Sequence, residues 1–116
     1  METLEQFVEN LWIIDTHEHL VPENGRVNAK ADPLQTFLLQ YASSDLISAG
    51  LKVEDYAVIM NSSTPIEERW AALEPFWEKA SNTGYFDALR VAAKDLYGVD
   101  DINAKTIKRL KEKMEE

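Results

Sequence analysis

A mostly α-helical chain with one buried strand is what this sequence predicts, on three observations. Apolar residues recur at helical spacing through most of residues 33–116. One continuous apolar run with β-branched residues, "LWII" at 11–14, breaks from that spacing. Proline and glycine stand where helices start and stop. At 116 residues the chain is one domain's worth, or part of a larger one. A hydrophobic fraction of 45%, with three Trp, four Tyr and four Phe, argues against disorder.

The first helix is expected over 3–10, where Leu4, Phe7, Val8 and Leu11 share one face and Thr3 is a cap. Residues 11–16 follow as the strand, apolar on both faces and therefore buried on both. Such a strand needs neighbours, and no other segment here supplies them. Residues 20–32 carry Pro22 and Asn24-Gly25 and are expected to be a loop.

Asp32-Pro33 then opens a helix with an N-cap and a first-turn proline. Leu34, Phe37, Leu38, Tyr41 and Ala42 continue it to Gly50. A shorter helix is expected over 53–60. Thr64-Pro65-Ile66-Glu67 has the pattern of a capping box. Beyond it Ile66, Trp70, Leu73, Trp77 and Ala80 hold one face, with Pro75 expected to kink or divide the helix. Tyr85, Leu89, Ala92 and Leu96 define another helix, stopped by Gly98. A last one begins near 103, with Ile107, Leu110 and Met114 on one side.

The net charge of -9 is concentrated in residues 1–60, at -7. An acidic chain repels phosphate backbones and anionic bilayers, so neither nucleic acid nor membrane is an expected partner. There is no cysteine, hence no disulfide framework and no thiolate metal site. The acidic start "METLEQFVEN" lacks the pattern of a signal peptide, and no apolar run approaches the roughly 20 residues of a membrane span. The cytoplasm is the expected location.

Both histidines of the chain, His17 and His19, sit just beyond the apolar run. They read either as ordinary loop residues or as ligands. On an extended segment residues two apart point to one side, so both imidazoles can aim at one point. Neutral imidazole suits zinc first, and manganese or iron as well. Asp15 shares that parity and can orient the pair from behind. A catalytic metal takes three or more protein ligands and an open position, and no spacing in the chain points to the third.

The segment "IIDTHEHL" (13–20) resembles the apolar–Asp-x-His-x-His signature of the amidohydrolase superfamily. "SSDLISAGL" (43–51), "ERWAALEPFWEKASNTGYFDAL" (68–89) and "AAKDLYGVDDIN" (92–103) are similar to its amidohydrolase-2 and uronate-isomerase-like branch. The resemblance covers nearly the whole chain. It implies the N-terminal fragment of a (β/α)8 TIM barrel with a helical insertion after the first strand. Residues 1–32 would hold the first helix, the strand and the His-x-His loop, and 33–116 the insertion. It implies a metal-dependent hydrolase, or an isomerase or decarboxylase, acting on a small polar molecule. His17 and His19 match its first two metal ligands. The later ligands and the general base have no counterpart here, so the chain alone is expected to be inactive.

Three further readings stay open. Glu23 and Arg26 are candidate substrate contacts, Arg26 for a carboxylate, against the simpler reading of a solvated loop. Trp70, Phe76, Trp77, Tyr85 and Phe86 line a pocket or, as aromatic residues at helical spacing more often do, form the core. The strand's free edges also allow a homo-oligomer, which makes a non-catalytic helical interaction module the alternative to an enzyme part.

Overall fold

Ile66, Trp70, Leu73, Trp77 and Ala80 form one stripe along a 15-residue helix, and the rest of the body packs around it. In the computed structural model, which describes residues 1–116, that helix is α6 (Ile66–Ala80). The others are α1 (Leu4–Glu9), α2 (Glu23–Asn28), α3 (Pro33–Phe37), α4 (Tyr41–Ser48), α5 (Val53–Ile59), α7 (Gly84–Tyr97) and α8 (Ile107–Glu115). α4, α5 and α8 contact α6, while α8 also meets α3 and α7. Trp70 and Trp77 lie 5.1 Å apart, and Trp77 meets Phe86 edge-on at 4.6 Å.

Every buried side chain belongs to residues 32–110. Residues 1–30 are exposed throughout and form an arm. The Cα radius of gyration, 15.9 Å, exceeds the roughly 13 Å of a compact chain of this length, as a projecting arm requires. Where the arm meets the body, Asp32 caps α3 by accepting the backbone N–H groups of Leu34 and Gln35. Its carboxylate also receives both terminal nitrogens of Arg69, at 3.2 and 2.6 Å. Arg69 donates further to the carbonyls of Ile59 and Thr64, so each of the three nitrogens of this buried charge is engaged.

The strand expected over 11–16 does not form, and the reading of the chain as a (β/α)8-barrel fragment with a buried first strand is overturned. All regular structure is helical. Residues 12–21 make no backbone–backbone hydrogen bond, and Trp12, Ile13 and Ile14 are 93%, 78% and 77% exposed. The apolar run reports a segment suited to burial, but no sheet exists for it to join.

Three local expectations also change. Residues 23–28, read as loop, form α2. The helix expected from Pro33 to Gly50 is divided at Gln40, whose φ of 64° no helix accommodates. At α6 the Thr64 capping box is absent: Pro65, with extended backbone, takes the cap position. Pro75 neither ends nor divides α6, and Ala71, whose carbonyl loses its usual donor, is itself exposed. α7 closes as expected, with Gly98 left-handed at φ 65° and Val99 N–H bonded back to the Ala93 carbonyl.

Candidate functional site

The arm brings its two imidazoles together. His17 Nε2 and His19 Nε2 stand 2.8 Å apart, with ring centroids at 4.8 Å and planes tilted by 52°. Both rings are exposed. Asp15 lies behind them, where its Oδ1 accepts the His17 backbone N–H at 3.0 Å. That bond fixes the turn at the first histidine and leaves both rings free. The separation of the two nitrogens is that of an N–H···N hydrogen bond with one Nε2 protonated. The tautomer with that proton on Nδ1 instead leaves both Nε2 lone pairs free. These two nitrogens are the atoms that would hold a divalent metal, with the hydrogen bond between them given up.

The donor set stops at two. No group of three or more His, Cys, Asp or Glu side chains is placed to hold a metal ion. Glu23 and Arg26 lie on α2 and bind each other, Arg26 Nε donating to Glu23 Oε2 at 2.8 Å. The guanidinium holds the Glu23 carboxyl below the usual range, and the carboxylate raises Arg26 in turn. Arg26 therefore spends its planar face on its own helix.

A cleft of about 420 Å³ lies in the body rather than at the histidines. Trp70, Glu74, Trp77 and Glu78 of α6, Arg90 of α7 and Asp101 contribute to its walls. Trp70, Trp77 and Phe86 are core residues, and Phe76 packs against them. Tyr85 is instead half-exposed and stacks on Tyr41 at 5.5 Å. The sequence carried no sign of this cleft or of the Asp32–Arg69 pair, because both depend on contacts between distant segments. The two histidines were singled out by their spacing on an expected strand, and their rings approach each other without it.

Comparison with protein-family models, curated proteins and solved structures finds no match to the chain. No helix is long and apolar enough to cross a membrane.

Proposed function

We propose that this chain contributes the first two ligands of a divalent metal centre in an amidohydrolase-type enzyme acting on a small polar substrate. The observation that carries the reading is the 2.8 Å approach of His17 Nε2 and His19 Nε2 on an exposed segment without regular structure. The resemblance of "IIDTHEHL" to the superfamily's ligand signature supports it. Zinc suits the imidazole pair best, with manganese or iron as alternatives.

His17 and His19 bind through Nε2 as neutral rings, each keeping its proton on Nδ1. Asp15 positions His17 through the backbone. A metal so held supplies an acidified water for hydrolysis, or polarises a carbonyl for isomerisation or decarboxylation. The remaining ligands and the general base come from residues outside this chain, so the chain alone turns over no substrate.

Calorimetric titration with zinc and with manganese tests this. Saturable binding is expected, abolished in a His17→Ala/His19→Ala variant and weakened about tenfold by Asp15→Ala. Binding of equal strength in the double variant overturns the reading.

The exposed Leu11–Ile14 run favours a second reading, a non-catalytic module that self-associates through the arm without metal. It predicts association at zero metal that Ile14→Lys abolishes.

A further inference from the structure

We infer that one zinc ion joins two copies of this chain, each giving His17 and His19, in a closed four-histidine site on a two-fold axis. The inference rests on the metal-ligand reading above and adds the partner. Coordination number is its starting point. Zinc with nitrogen ligands takes four in a tetrahedron, and the arm offers two.

No other side chain of the same chain completes the set. Asp15 Oδ1 is engaged by the His17 N–H, and Glu23 by Arg26. A second copy presents an identical pair that is equally exposed, and a two-fold interface is the commonest way for identical chains to meet.

Charge and surface agree with this. Residues 1–31 carry six acidic and two basic side chains, so two arms repel each other unless a cation lies between them. Neutral imidazoles leave the full charge of the zinc to offset that repulsion. The pair is also bracketed by exposed apolar residues, Leu11–Ile14 before it and Leu20-Val21 after it. Bridging brings two such segments side by side and removes part of their surface from water. Four protein ligands leave no open position, so the chain alone holds zinc in a closed assembly, in keeping with a chain that supplies only two ligands of an enzyme's centre and turns over no substrate by itself.

The experiment is sedimentation velocity on the full chain at increasing zinc chloride, with calorimetry for stoichiometry and circular dichroism to show that each variant keeps its helices. The expected result is a doubling of mass that saturates at one zinc per two chains and is lost in His17→Ala and in His19→Ala. One zinc per monomer, with no change in mass, overturns the bridge while leaving the ligand reading intact. Absence of zinc binding overturns both. A dimer already formed without zinc, or persisting in both variants, overturns the bridge in favour of metal-independent association.

Discussion

Gln40 is the only residue other than glycine with a positive φ, at φ 64° and ψ -134°. A Cβ in that region costs of order 1–3 kcal/mol, and the surrounding contacts hold it there. Tyr56 donates its hydroxyl to the Leu38 carbonyl at 3.0 Å, and Ser43 Oγ donates to the Gln40 carbonyl at 2.7 Å. Leu38 is thereby kept in the core as the chain turns into α4. Gln40→Gly removes the steric cost and keeps both bonds, at some loss of chain entropy. The expected gain is about 1 kcal/mol, seen as a Tm several degrees higher in thermal unfolding. Gln40→Ala, which keeps the Cβ, gives no such gain. Nothing around Gln40 in the sequence signals this, because glutamine has no preference for the left-handed region. Asp32 is the opposite case. Aspartate directly before proline marks a helix start from two adjacent letters, and the structure places the cap there.

At the scale of elements, α5, α7 and α8 were legible because one face of each is apolar at helical spacing. The strand read over 11–16 is absent from the structure, and the reason is physical. A run such as Leu11–Ile14 records that burial is favourable without recording what would cover it. α2 was missed because Asn24-Gly25 signals a turn, yet the Glu23–Arg26 pair and Asn28 bonding back to the Asn24 carbonyl hold one and a half turns together. The tie between α3, α5 and α6 was equally invisible, since Arg69 and Asp32 are 37 positions apart. That tie sets the next expectation. Arg69→Ala leaves Asp32 buried without its cation and strips a donor from the carbonyls of Ile59 and Thr64. Urea unfolding should show a loss of about 3–5 kcal/mol, the usual cost of breaking a buried pair. Arg69→Lys should fall between the two, because an ammonium keeps the charge but lacks the planar fork. A loss under about 1 kcal/mol for Arg69→Ala would mean that the pair is open to water.

The molecule as a whole is a helical body with an acidic arm that exposes apolar side chains, and the candidate chemistry and the stability lie in different parts of it. The two histidines are close in sequence, so their approach is a local matter, although the strand from which it was expected does not form. A complete ligand set could not be found from the sequence, because the chain places no third donor beside them. The same division yields a prediction about folding. All 18 side chains of the apolar core come from residues 34–110, and the buried Asp32–Arg69 pair lies outside residues 1–31. Removing residues 1–31 therefore takes away no core contact and leaves the α3 cap in place. The shortened chain should unfold cooperatively with a free energy within about 0.5 kcal/mol of the full chain, as for changes remote from core features. Its urea m-value should also stay the same, because m follows the surface exposed on unfolding and the arm is already exposed. Small-angle scattering should show the radius of gyration falling to about 12 Å, that of a compact chain of the remaining length. A loss of cooperativity, or a clear drop in m, would mean that the arm folds onto the body in solution. The histidines would then stand against helical surface instead of in water, and the two-chain zinc site would lose the access it requires.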